Sequence, residues 1–407
     1  MKLCHHQKDL KRLIRKISIT RSSEPMKTIL LTAALTVGSG MLANAENEYI
    51  SIKNEIQQSI ARGNAWLVKQ QDEKGYWDDG GLPAFTSLAL TALVRDPNLN
   101  IPEAEELPDH LKKGFDWLLE QQKENGGIYN RGLAVYNTAT SLTALSSAGR
   151  GEFESAIVKA RRHLISNQWD IGEKGQTDNI NDGGIGYGSD DSHTDMSNTY
   201  LALEALALSD TVIEDGNYAD EPNLNWDAAL TFLSRSQNLT ETNDQEWASD
   251  DPKNKGGFIY TPGDSKAGEE ITADGKVALR SYGSISYAGL MSLIYAKLEA
   301  SDPRVVAVKE WLGKNYTVEE NPNMGPEGLY YYYQAMAKAL NAAGIDKLKL
   351  ADGTEADWRR DLAGKLLTEQ RENGSWANDN GRWMESNPIL VTAYTVMALE
   401  EVYRSIP

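Results

Sequence analysis

The chain has 407 residues, 40% of them hydrophobic and 25% charged, and a formal net charge of -18. That composition suits a globular protein long enough to bury a large core, and its acidity argues against nucleic acid or an anionic membrane surface as partner. The single cysteine, Cys4, lies in a basic N-terminal stretch, so a disulfide framework, a thiol nucleophile and a thiolate metal site are all excluded from the rest of the chain.

Residues 1–25 (MKLCHHQKDLKRLIRKISITRSSEP) are basic, unlike the remainder of the chain, and read as an extension ahead of a start at Met26. From Met26-Lys27 an apolar run, TILLTAALTVGSGM, leads to Ala43-Asn44-Ala45. A charged start, an apolar run and a small-x-small ending make a secretory signal peptide over 26–45, cut before Glu46. The run is shorter than the roughly 20 residues a spanning helix needs. The expected mature chain, 46–407, is therefore exported to a periplasmic or extracellular space as a single domain with no transmembrane segment.

Six segments then repeat one plan. An amphipathic helix ends in a Leu (Leu67, Leu118, Leu164, Leu233, Leu312, Leu366), and a Gln follows four residues later (Gln71, Gln122, Gln168, Gln237, Gln370), with Tyr316 in its place in the fifth unit. A Gly/aromatic turn comes next: Gln71–Trp77 (QDEKGYW) and Gln370–Trp376 (QRENGSW) both fit Gln-x-x-x-Gly-x-Trp, and Gln122–Tyr129 (QKENGGIY) keeps the Gln and Gly and ends on Tyr. The Gly permits a positive φ at the helix end, and the Gln amide can both donate and accept. An apolar second helix closes each unit, starting near Phe85, Asn137, Asn198, Ser286, Leu329 and Val391. First helices are charged along one face and belong outside; second helices are apolar all round and belong inside. An open solenoid needs polar capping repeats, yet the first and last units carry the fullest motif. The expected fold is all-α, an (α/α)6 toroid: a closed double ring of six helical hairpins. Four loops, at 178–195, 238–283, 321–328 and 378–388, lead into inner helices and should gather at one end of it, where function concentrates.

Gln-x-x-x-Gly-x-Trp before an apolar helix, in a six-hairpin plan over nearly all of residues 50–405, resembles the repeat of squalene cyclases, oxidosqualene cyclases and the β subunits of protein prenyltransferases. The resemblance implies that Gln71, Trp77, Gln122, Gln370 and Trp376 are structural, and that a central cavity binds an isoprenoid or another apolar small molecule. Protonating cyclases carry Asp-x-Asp-Asp-Thr at an inner-helix start. The best match here, Asp195-Met196-Ser197-Asn198-Thr199, puts Ser197 at the proton-donating position, and a hydroxyl is too weak an acid for an alkene. The prenyltransferase zinc site, built from Asp, Cys and His, cannot be assembled from His110, His163 and His193 without a cysteine. No metal or other cofactor is expected, and the sequence sets no oligomeric state.

Candidate acid–base residues are Asp195, His193 and Asp191, an imidazole among carboxylates ahead of an inner helix; the same loop also reads as a solvated helix cap. Candidate ligand-binding residues are Tyr187, Tyr200, Tyr282, Tyr287, Tyr331, Tyr332 and Trp383, whose π-faces suit an apolar or cationic guest. Core packing is the plainer reading of any one of them. Glu385 and Asp379 leave open a carbohydrate-active hydrolase or lyase on the same toroid, and a binding scaffold without catalysis is the third reading.

Overall fold

The structure is a computed structural model that describes residues 39–188, 193–215, 218, 220–273 and 275–406. Residues 26–38 of the expected signal peptide and Asp191 lie outside the described residues. The described chain is built on helix, with two short β-hairpins in its loops.

The outer helices are α1 (Ser39–Lys69), α3 (Asp109–Glu120), α5 (Glu154–Ser166), α8 (Trp226–Arg235), α10 (Pro303–Lys314) and α12 (Trp358–Glu369). The inner helices are α2 (Pro83–Val94), α4 (Ala134–Ala148), α6 (Met196–Leu208), α9 (Gly283–Tyr295), α11 (Leu329–Ala342) and α13 (Pro388–Ser405); a short α7 (Asp210–Asp215) follows α6. Five of the six inner helices begin two or three residues before the positions expected from apolarity, and three of them open on Pro83, Pro388 or Gly283. The hairpins pair β1 (Glu269–Ile271) with β2 (Val277–Leu279) and β3 (Leu348–Lys349) with β4 (Glu355–Ala356), both antiparallel.

Each inner helix packs on the next, and α13 packs on α2, so the inner ring closes; outside it, α12 packs on α1. Inner helices are buried on all sides, α2 along its entire length, which is why they are apolar all round. The core fills the space between the rings, where Trp77, Trp311, Trp358 and Trp376 are fully buried.

The recurrent Gln makes the ring. Gln71 Nε2 donates to Gly75 O (2.9 Å) in its own turn and to His110 O (2.8 Å) in α3. Gln122 does the same with Gly126 O and Ala156 O, Gln168 with Gly183 O and Asn225 O, and Gln237 with Gly256 O and Arg304 O. Gln370 closes the circle, donating to Gly374 O and to Ser59 O in α1. Tyr316 makes the corresponding reach with its hydroxyl, donating to Asp361 of α12 at 2.8 Å. The Gly of the motif does more than end a helix. Gly256 has φ +91, and a Cβ there would collide with the carbonyl of Ala307 in the next outer helix, so glycine sets how closely adjacent outer helices approach.

Trp77 and Trp376 donate their indole N–H to Leu67 O and Leu366 O, ten residues back, both at 2.8 Å. In the second unit the buried slot belongs to Ile128, and Tyr129, the expected counterpart of the Trp, lies one residue beyond it against His163. The backbone N–H at this slot donates to a hydroxyl on the following inner helix in five units: Thr86, Thr138, Thr199, Ser286 and Thr392.

Candidate functional site: a tyrosine cavity at the inner-helix starts

Five inner-helix N-terminal regions and the four long loops meet around an axial cavity of about 150 Å³. Its wall comes from α4 (Tyr136), α6 (Ser197, Asn198, Leu201), α9 (Ser284, Ile285), α11 (Tyr331) and α13 (Tyr394), and its rim from Tyr187, Tyr260, Tyr282, Gly328, Trp383, Met384 and Glu385. Helical periodicity chooses the wall: Ser197 and Leu201 are four apart on one face of α6.

The rings are arranged for contact with a guest and with one another. Tyr331 and Tyr394 lie 6.1 Å apart at 55°, and the hydroxyls of Tyr136 and Tyr394 are hydrogen-bonded at 3.0 Å. Burial pushes the Tyr136 phenol up to about 12 and raises Tyr331, Tyr394, Tyr260 and Tyr282 as well. All therefore keep their protons at neutral pH and present neutral hydroxyls. Trp383 is 43% exposed at the mouth, and it and Met384 hold φ values of 52° and 64°. These left-handed residues form a tight turn over Gly328, whose own φ of +62 and lack of a Cβ let the indole lie against the backbone.

Glu385 is the one carboxylate on the rim among the described residues. It accepts from the backbone N–H of Tyr330 (3.2 Å) and Tyr331 (2.8 Å) and from Asn378 Nδ2 (2.7 Å), capping α11 from a different loop. Burial raises its pKa against those hydrogen bonds. Asp379, the other half of the carboxylate pair, is not on the cavity wall.

Asp195 sits behind the cavity, not on its wall. It is fully buried as the N-cap of α6, accepting from the Asn198 backbone N–H (2.9 Å) and from Asn198 Nδ2 (2.7 Å). Burial pushes its carboxyl up to about 6, with those two bonds opposing. Ser197 and Asn198, at the positions where the family resemblance expects acids, do line the cavity, and the Asn198 Oδ1 is buried without a hydrogen-bond partner. His193 lies 6.5 Å from the Tyr187 ring and 6.3 Å from the Tyr260 ring, at the outer edge of the site.

Of the ligand-binding candidates, Tyr187, Tyr282, Tyr331 and Trp383 are brought together around the cavity. Tyr200, Tyr287 and Tyr332 are not: they pack in the ring wall, Tyr287 against Tyr332 at 5.6 Å, with the Tyr332 hydroxyl donating to Thr317 O. Four consecutive tyrosines sweep a full helical turn, and only Tyr331 of the four reaches the cavity. Tyr260 escaped the sequence reading although a signal existed. Gly183-Gly-Ile-Gly-Tyr187 and Gly256-Gly-Phe-Ile-Tyr260 place a Tyr four residues after the same turn glycine. Among the described residues no group of His, Cys, Asp and Glu could hold a metal ion, and no helix is long and apolar enough to cross a membrane.

No protein-family model matches the sequence, and no curated protein matches it significantly. Solved structures do. An apo variant of the type II terpene cyclase MstE from Scytonema aligns with a TM-score of 0.52 at 14% identity, over 88% of this chain and 99% of that one. Another variant, in complex with geranylgeranyl dihydroxybenzoate as substrate, aligns with a TM-score of 0.51 at 12% identity over the same shares. A glycoside hydrolase family 76 mannosidase from Bacteroides thetaiotaomicron aligns at 0.49 and 12% identity, over 86% of this chain and 98% of that one. At these identities the likeness is one of fold: the chain shares the α/α toroid of the type II terpene cyclase.

Proposed function

We propose that the protein binds the end of an isoprenoid chain, or an apolar molecule of similar girth, in the tyrosine cavity, and that it does not start a proton-initiated cyclisation. The observation that carries this reading is the cavity wall: Tyr136, Tyr331 and Tyr394 with Leu201 and Ile285, and Trp383 at the mouth. Such surfaces hold apolar and weakly cationic guests through their π-faces. A cavity near 150 Å³ holds a guest about the size of benzene, so only the tip of a long chain fits inside and the remainder leaves past Trp383 and Met384. Proton donation to an alkene requires an acid on the wall. Ser197 is too weak, while the Asp195 and Glu385 carboxylates are each engaged by helix-end N–H groups.

Titration of the purified protein with geraniol, followed by tyrosine and tryptophan fluorescence, tests this. Tyr331→Ala should weaken binding by about tenfold, the scale of one lost aromatic contact, and Asp195→Asn should leave cavity affinity within about twofold if it still folds. Incubation with squalene should yield no cyclised product. Binding unaffected by Tyr331→Ala, or squalene turnover lost in Asp195→Asn, would overturn the reading.

We further propose that the chain is exported, on the strength of residues 26–45. Removal of everything before Glu46 would leave the part of α1 that carries Ile56, Ile60 and Leu67, all buried in the core. N-terminal sequencing of the secreted protein should begin at Glu46; a retained Met26 would refute it.

A further inference from the structure

Asn198 lies in the first turn of α6, lines the tyrosine cavity and is fully buried. Its amide has one orientation. Nδ2 donates to Asp195 Oδ2 at 2.7 Å, and the flipped amide would set two acceptors against each other. Oδ1 is thereby turned away from Asp195, and among the described residues no group donates to it.

The repeat explains why this oxygen is left over. Asn137, near the start of α4, works at both ends: Oδ1 accepts from the Ala84 N–H of the preceding inner helix α2 at 2.8 Å, and Nδ2 donates to Leu133 O at 2.9 Å. Asn198 has no such helix end to serve, because the Val135 N–H of α4 already donates to Tyr187 O at 2.8 Å. A buried acceptor left unpaired costs stability, so the oxygen calls for a donor that the folded chain does not supply.

A second unpaired group lies on the same wall. Of the tyrosines that α4, α11 and α13 contribute, Tyr136 and Tyr394 share a hydrogen bond of 3.0 Å. The Tyr331 hydroxyl, with Ser197 as its polar neighbour, makes none. Among the described residues no Lys, Arg or His lines the cavity.

We propose that the cavity takes its guest hydroxyl-first. The O–H of an apolar alcohol donates to Asn198 Oδ1 and accepts from the Tyr331 hydroxyl, and the hydrocarbon trails out past Trp383 and Met384. The proposal rests on the isoprenoid-binding reading and adds which end enters and what that end must carry. A hydroxyl both donates and accepts, so one group satisfies both unpaired atoms. An ether only accepts, and leaves Asn198 without a donor. A phosphate or carboxylate head would bring charge into a wall that has no cation to meet it.

The test compares three ligands of one carbon skeleton on the full-length protein: geraniol, geranyl methyl ether, and the hydrocarbon with hydrogen in place of the hydroxyl. The wild type should bind geraniol about tenfold tighter than the methyl ether, because a site built for a hydroxyl rejects the analogue that cannot donate. Tyr331→Phe keeps the ring and removes a hydroxyl that bonds nothing in the protein, so it should fold. It should lower geraniol affinity about fivefold, the scale of one hydrogen bond, and leave the hydrocarbon's unchanged. Asn198→Leu, if it folds without the Asp195 contact, should bind alcohol and ether alike. A wild type that binds the methyl ether as tightly as geraniol would overturn the proposal, whatever the variants do. So would a Tyr331→Phe protein that loses alcohol and hydrocarbon affinity equally. A wild type that binds none of the three would instead refute the cavity reading itself.

Discussion

Asp195 and Glu385 share one fate. Each is a buried carboxylate beside the cavity, and each has its oxygens turned to the N–H groups at the start of an inner helix. A carboxylate so placed caps the helix end, where the dipole favours negative charge. At the other end of the toroid, Glu400 is fully buried with neither oxygen hydrogen-bonded. Arg95 Nε lies 3.5 Å and Arg404 Nη1 3.7 Å away, and Asp96 and Glu401 add like charge. Burial outweighs the two arginines and pushes the carboxyl up to about 8 from its ordinary 4.5. A raised folded-state pKa means that the native state holds this proton more tightly than the unfolded chain does. The resulting stability is complete below about pH 4.5 and is lost as pH rises through about 8. Glu400→Gln should therefore flatten the pH profile. Relative to wild type it should gain stability between about pH 5 and pH 8, on the order of a few kcal/mol. Denaturant midpoints at the two pH values measure this, and a gap between the proteins that does not change with pH would contradict it.

At the scale of elements, the repeat works through three parts that sequence spacing links only loosely. The Gln spans from its own turn to the next outer helix, the Gly lets that helix come close, and a hydroxyl on the inner helix receives the N–H of the buried slot. Loop insertions separate Gln168 from Gly183 by 15 residues and Gln237 from Gly256 by 19, but in the first, second and sixth units the Gln and Gly sit four residues apart and are legible. The hydroxyl is not, because it lies nine residues past the slot at Trp77–Thr86 but 28 past it at Phe258–Ser286; loop insertions scramble its spacing while the fold preserves its position. Tyr316 shows the reverse case. It departs from the motif in sequence, yet its longer side chain reaches Asp361 and keeps the fifth joint.

The whole molecule is held as a closed circle. Gln370 contacts Ser59 across 311 residues of sequence, Arg95 pairs with Glu401, and α13 packs against α1, α2 and α11. Removing residues 358–407 would bare the apolar faces of α1, α2 and α11 that α13 covers. Exposed apolar surface on that scale drives aggregation. The truncated protein should accordingly be insoluble or lack cooperative unfolding by circular dichroism and size-exclusion chromatography. A folded, monomeric truncation would mean that the ring is stable open.

The sequence alone determined the six hairpins, the division into outer and inner helices, and the closure of the ring, because each rests on local periodicity and on a motif present in full at both ends. It also marked the loops that surround the cavity. Only the tertiary structure decided which tyrosines face the axis. Tyr331 and Tyr332 are neighbours on one helix, and the choice between them depends on how α11 is rotated against α9 and α13, which packing sets. Glu204 and Lys338, 134 residues apart, became one buried pair only when the ring closed around them.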